Sequence, residues 1–202
     1  GGYHSRTRST HPTMRPMIDT HCHLTFDKLH TRIDQVLAEA DAAGVDRMIS
    51  VGTTPADATR APALAHRFPR VYATAGVHPH YAEQFVDGSA LKASLNEKLA
   101  EPRCVAIGEM GLDRHYPDPP MADQRRVFAW QLEMMNDKNS PASKLPGIIH
   151  NREATGETLA MIRDAGVPGD RFVHGVVHDL GDHMVQSAVV FAADIHAGAQ
   201  AD

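Results

Sequence analysis

The sequence predicts an α/β protein, a TIM-type (β/α)8 barrel incomplete at its C-terminus with about six to seven βα units, and three observations predict it. Short apolar runs alternate with amphipathic stretches, the pattern of βα units around a parallel sheet. Several apolar runs end in histidine or glutamate, and α/β barrels gather their active-site residues at the C-terminal ends of different strands. The 202 residues suffice for one domain with a substantial core. They fall short of the roughly 250 that a full barrel uses.

Residues 1–16 carry charge but no apolar stretch of the signal-peptide kind, so they read as a disordered leader before a domain of residues 17–202. Met17–His23 is the first strand, followed by a loop through Phe26 and Leu29. Ile33–Ala43 is a helix because Ile33, Val36, Leu37 and Ala40 fall at i, i+3, i+4 and i+7, and Gly44 ends it. Asp46–Val51 is the second strand. Pro55 then opens a helix, its fixed φ suiting a first helical turn. Val71–Val77 is the third strand, Ser89–Ala100 a helix and Cys104–Ile107 the fourth strand. Met121–Asp137 is a long helix with Val127, Trp130, Gln131 and Met134 along one side, and Asn139–Lys144 a polar loop. Gly147–His150 is the fifth strand, Glu153–Ala165 a helix stopped by Gly166, and Phe172–Val177 the sixth strand. Ala188–Ile195 is a seventh strand or a short helix, and the chain is atypical from about residue 175.

The 42% hydrophobic and 22% charged content is that of a soluble globular chain. Aromatics make up only 5%, so the core is built from aliphatic side chains. A net charge of −5 and a pI near 6.3 exclude a broad basic surface for nucleic acid. Any nucleic-acid chemistry must then depend on bound metal and a few local cations. Cys22 and Cys104 form no CxxC or zinc-finger spacing, and they predict reduced thiols in a cytoplasmic setting. No apolar run approaches 18 residues, so no membrane helix is expected.

Histidine is the compositional oddity, at 14 residues. The first strand ends Asp19-Thr20-His21-Cys22-His23. On a strand, residues i and i+2 share a face, so His21 and His23 can grip one divalent ion. Asp19, on the same face, can accept a ring N–H from one of them. Cys22 points the other way and packs. Gly76-Val77-His78-Pro79 ends the third strand, and His78 reads as a substrate contact or support rather than a ligand. Gly108-Glu109-Met110-Gly111-Leu112-Asp113 follows the fourth strand, its glycines letting backbone approach closely. Asp113 is expected to hold the loop after Glu109, with His115 and Tyr116 lining an entrance where Tyr116 can stack on a base. His150-Asn151-Arg152 ends the fifth strand. There Arg152 can pair with a phosphate oxygen or, equally, with a surface carboxylate. His174 ends the list. His4, His11, His30, His66 and His80 read most simply as surface residues.

The segments Asp19–Leu24, Gly76–Pro79, Ile107–Asp113, Ile148–Ala154 and Phe172–His174 resemble, in order, the motifs of TatD-related deoxyribonucleases. The resemblance runs from about Met17 to His174. It implies a metal-dependent barrel in which His21 and His23 bind one ion and Glu109, the catalytic carboxylate, bridges to a second ion held by His150 and His174. It further implies two divalent ions per subunit (Mg, Mn, Zn, Co or Ni) and a 3'-5' exonuclease cleaving phosphodiester bonds at single-stranded DNA ends, with a monomer favoured. The alternatives are a related metallohydrolase of small esters, amides or lactones, and a catalytically impaired metal-binding fragment. Family members carry an aspartate at the end of strand eight. The sequence ends at Asp202 before such a strand, and Asp194 is the nearest substitute. His178, Asp179, Asp182 and His183 can bind metal but suit a polar loop better.

Overall fold

The computed structural model describes residues 17–173 and 177–178. Among these residues seven strands form one sheet: β1 Met17–Cys22, β2 Val45–Ser50, β3 Val71–Ala75, β4 Cys104–Asp113, β5 Gly147–Arg152, β6 Phe172–Val173 and β7 Val177–His178. Helices α1 Asp27–His30, α2 Ile33–Ala42, α3 Asp57–Arg67, α4 Gly88–Leu99, α5 Met121–Asn136 and α6 Thr155–Asp164 connect them. The strands lie side by side in chain order from β1 to β6, and the paired strands are parallel. Sequential order without a reversal is that of a barrel wall, whereas a doubly wound sheet reverses at a switch point. β6 pairs with Gly147 and Ile148, and β7 with Asn151 and Arg152, so both run along the side of β5 away from β4.

Helices and strands bury one another through two outer apolar clusters. Leu91, Leu95 and Leu99 of α4 and Val127, Phe128 and Leu132 of α5 pack against Ala75, Ile107, Met110 and Leu112 of the sheet. Ile33 of α2 and Leu64 and Ala65 of α3 pack with Leu24, Met48 and Val71. Fully burying a side chain such as Phe128 or Leu132 contributes about 1.5–3 kcal/mol. On the opposite face of the sheet, Val51, Ala106 and Ile148 form a third cluster with Ile49. This inner cluster is the floor beneath the strand ends. Among the described residues no helix is long and apolar enough to cross a membrane.

Several boundaries differ from the sequence reading, each for a local reason. β4 does not stop at Ile107 but continues to Asp113, because Gly108 (φ 128°) and Gly111 (φ 148°) take up backbone that other residues rarely adopt. The helix expected at Pro55 starts at Asp57, whose N–H is taken by the Thr54 hydroxyl at 3.2 Å. The loop after β1 folds into the single turn α1, and the polar loop before β5 contains a 3-10 turn, Pro141–Lys144. α6 begins at Thr155, two residues later than expected, because Glu153 has φ 55°. The predicted sixth strand corresponds to β6 and β7. His174, Asp179, Asp182, His183 and Asp194, the Ala188–Ile195 element and the leader 1–16 lie outside the described residues.

Candidate metal centre

Pleat parity decides which side chains reach the inner face. Along β3 and just beyond it, Ala75 and Val77 pack outward, so Thr74, Gly76 and His78 face inward. On β5, Ile148 packs inward and Ile149 outward, which puts His150 inward. β4 would fail this test if it were regular. Ala106 faces in, so Glu109 would face out. The register slips between Ile107 and Met110, where three residues of β4 span two of β5. That extra residue reverses the alternation. Met110 and Leu112 then join Ile107 in the outer cluster, while Glu109 and Asp113 face the site. A second slip, between Asp19 and Cys22, lies in β1 before His23.

Glu109 stands at the centre. Its Oε1 lies 3.0 Å from His150 Nδ1 and its Oε2 3.4 Å from His21 Nε2. Its backbone N–H donates to the Gly52 carbonyl at 3.0 Å. Among the described residues, two sets of potential ligand atoms share Glu109: His21, His23 and Glu109, and His78, Glu109 and His150. Burial would raise the Glu109 carboxyl, but hydrogen bonds from His150 and His21 outweigh it and hold the group well below the usual carboxylate range. A buried carboxylate flanked by imidazoles on both sides fits divalent cations of the Zn, Mn, Co or Ni kind.

The ring protons can be placed from their partners. His23 Nδ1 lies 3.1 Å from the Val51 carbonyl, which only accepts, so Nδ1 carries hydrogen and Nε2 is left to bind. Phe26 stacks on the His23 ring at 4.7 Å. Burial pulls the His23 imidazolium below its ordinary pKa. His150 Nε2 is 3.0 Å from Asp113 Oδ2, an acceptor, so Nδ1 is the atom turned toward Glu109. Burial would lower the His150 pKa, but the hydrogen bonds to Asp113 and Glu109 prevail and push it up to about 9. His78 differs. Its Nδ1 accepts the His80 backbone N–H at 3.1 Å, and its Nε2 lies 2.9 Å from His150 Nδ1. Burial, with His150 close by, pushes the His78 pKa down to about 3. Once His150 Nδ1 gives up its hydrogen, as ligation of an ion would require, a neutral His78 ring with Nδ1 occupied carries its proton on Nε2, so His78 presents a donor to the site. It could ligate an ion only by giving up the His80 bond.

Helix α5 anchors two strand ends with buried amides. Gln131 donates to the Val77 carbonyl at 3.1 Å and accepts its N–H at 2.8 Å. Gln124 accepts the Asp113 N–H at 2.8 Å and donates to its carbonyl at 3.0 Å. Seven residues apart, the two amides lie on one helix face. Each substitutes for a neighbouring strand.

Of the residues singled out in the sequence, His21, His23, Glu109 and His150 converge. His78 joins them more closely than a peripheral contact would. His174 lies outside the described residues. Asp19 does not orient a ring; its Oδ1 accepts the His21 backbone N–H at 3.0 Å. Cys22 packs against the outer cluster and its thiol donates to the Ile49 carbonyl at 3.3 Å, while burial raises its pKa. Tyr116 is half exposed at the rim, with the Arg152 guanidinium 5.3 Å from its ring centre. His115 pairs there with Glu153 at 2.9 Å. His80 is the main correction. It is no loose surface residue, for its Nε2 donates to Asp113 Oδ2 at 2.8 Å. The His78-Pro79-His80 spacing, a second His-x-His, was the available signal.

A family model for TatD related DNases matches residues 18–199. The uncharacterized metal-dependent hydrolase YabD of Bacillus subtilis is 33% identical over 162 residues, which are 80% of this chain and 60% of that protein. The 3'-5' ssDNA/RNA exonuclease TatD of Cronobacter turicensis is 38% identical over 148 residues, 72% of this chain and 53% of that one. The crystal structure of YJJV, a TatD homologue from Escherichia coli K12, aligns with a TM-score of 0.69 at 28% identity, covering 83% of this chain and 61% of its own. The chain thus spans between half and two thirds of the length of these relatives.

Proposed function

The chain belongs to the TatD related DNase family, and from that premise we propose that it is a metal-dependent hydrolase cleaving phosphodiester bonds from the 3' end of single-stranded DNA. One observation carries the proposal: the two oxygens of buried Glu109 each face a different histidine group. His21 and His23 with Glu109 would hold one divalent ion, and Glu109 with His150 and His174 a second. Ions bound in this way supply a water of lowered pKa and offset the charge that builds up on phosphorus.

The remaining roles fall to the chain's own side chains. Glu109 is the catalytic carboxylate that holds both ligand groups in register. The neutral His78 donates its Nε2–H to a phosphate oxygen, and a proton donor already in place needs no reorganisation as charge develops. Arg152 pairs with a phosphate oxygen, and among the described residues it has no carboxylate within ion-pair distance. Tyr116 stacks on a terminal base, a contact that tolerates any sequence. A chain of net charge −5 suits a strand end, where few phosphates are held at once. Both free cysteines agree with a reducing cytoplasmic setting, and burial pushes the Cys104 thiol up to about 12. The enzyme acts as a monomer.

The test compares single-stranded oligonucleotides labelled at the 3' or 5' end, with Mn²⁺, Co²⁺ or Mg²⁺ added, against p-nitrophenyl acetate and a lactone. Metal-dependent release of nucleotides from the 3' end is expected. Turnover of the ester or lactone with intact oligonucleotide would replace the nuclease with a small-molecule hydrolase.

A further inference from the structure

His80 touches both halves of the second ligand group without belonging to it. Its backbone N–H occupies His78 Nδ1 at 3.1 Å. Its ring Nε2 donates to Asp113 Oδ2 at 2.8 Å, and the same oxygen accepts His150 Nε2–H at 3.0 Å. Asp113 is held on every other side. Its Oδ1 accepts the His115 N–H at 2.9 Å, and Gln124 clasps its backbone. The His80 ring is partly open to solvent, with 35% of its side chain exposed, and it shares Asp113 Oδ2 with the His150 ring.

We propose that His80 is a positioning residue that fixes, from one place in the chain, which ring nitrogen both His78 and His150 turn toward the site. With His150 Nδ1 free of hydrogen, as a ligand atom would be, the main-chain contact forces the His78 proton onto Nε2. The side-chain contact holds Asp113 against His150 Nε2–H, leaving Nδ1 to face Glu109. The short turn Pro79–Gln84 makes this possible, because its first residues bring the His80 N–H back under the His78 ring. Carboxylates that orient a metal-binding histidine change metal affinity by about 10–100-fold when lost. His80 acts one step further out. The inference rests on the reading of His150 as a ligand, and its test is chosen to stand apart from that reading.

His80→Ala keeps the backbone N–H and removes only the ring, and the partly exposed site tolerates the change in folding. His80→Gln restores a donor that can reach Asp113. Titration with Mn²⁺ should show the second ion bound about tenfold more weakly in His80→Ala, the first ion unchanged, and recovery in His80→Gln. In the metal-free protein, ¹⁵N-histidine spectra should show a protected His150 Nε2–H in the wild type that is lost in His80→Ala. With Zn²⁺ bound, the spectra should also show His78 as the Nε2–H form in both. Wild-type affinity and an unchanged His150 signal in His80→Ala would overturn the proposal. So would a His78 proton on Nδ1 with Zn²⁺ bound, or equal weakening at both ions. A wild type that binds no second ion would overturn the metal reading of His150, while the metal-free spectra would still decide the role of His80.

Discussion

Gly111→Ala puts a methyl group where the wall between β4 and β5 has no room for one. A Cβ at position 111 would sit 1.9 Å from the His150 carbonyl oxygen, about 1.5 Å short of ordinary contact. The obstacle is backbone, so no rotamer change relieves it. The residue also sits at φ 148°, where an L side chain is strained by about 1–3 kcal/mol. Forcing the strands apart adds about 1–3 kcal/mol of overpacking. The expected loss of stability is about 2–6 kcal/mol, or roughly 4–24 °C in melting temperature for a chain of this size. Separation of β4 from β5 also moves Glu109 away from His150, now 3.0 Å apart, and a misplacement of about 1 Å at a reacting centre costs about 100-fold in rate. Melting followed by circular dichroism, with Mn²⁺ titration on the folded variant, reads both effects. A variant melting within about 1 °C of the wild type with unchanged metal affinity would refute the argument that close strand approach at the glycine builds the site.

Gln124→Leu leaves the buried Asp113 N–H and carbonyl without their amide, at about 1–3 kcal/mol for each unpaired group; a melting temperature unchanged within error would refute the clamp. His150→Ala should weaken the second ion far more than the first in calorimetric titration, and equal loss at both would undermine two distinct groups. Without metal, the proton on His150 must be displaced by an incoming ion. Apparent Mn²⁺ affinity should therefore climb about tenfold per pH unit between 7 and 9 and then level off, and a flat profile would contradict the assignment. The same raised pKa stabilises the metal-free fold fully below about 6.5, with the contribution lost as pH rises through about 9. Urea melts at pH 6, 8 and 10 check the sign.

The strand ends were legible because their chemistry sits on short apolar runs: His21 and His23 after Met17, Glu109 after Cys104–Ile107, His150 after Gly147. The barrel order followed from the alternation of those runs with amphipathic stretches. What the pattern hid was parity. Strict alternation cannot see the slip at Gly108 that brings Glu109 inward, because a bulge is a property of two paired strands and not of one sequence. The same counting gives Asp19 a ring as partner, whereas the irregular pairing of β1 gives it a backbone N–H instead. His80 escapes the strand pattern because it lies past the strand in a 3-10 turn, where side-chain direction depends on the turn. Gln124 and Gln131 read as ordinary helix residues, and only the packing of α5 shows both amides buried against strand ends.

The most direct test of the central claim, that one carboxylate joins two metal groups, is the metal content of the wild-type chain and Glu109→Gln. Both proteins would be incubated with Mn²⁺, desalted and analysed by mass spectrometry. The account predicts two ions per wild-type chain and loss of at least one in the variant, which keeps the size of the side chain but not its charge. An unchanged ion count in Glu109→Gln, or a folded wild type that retains no ion, would contradict it.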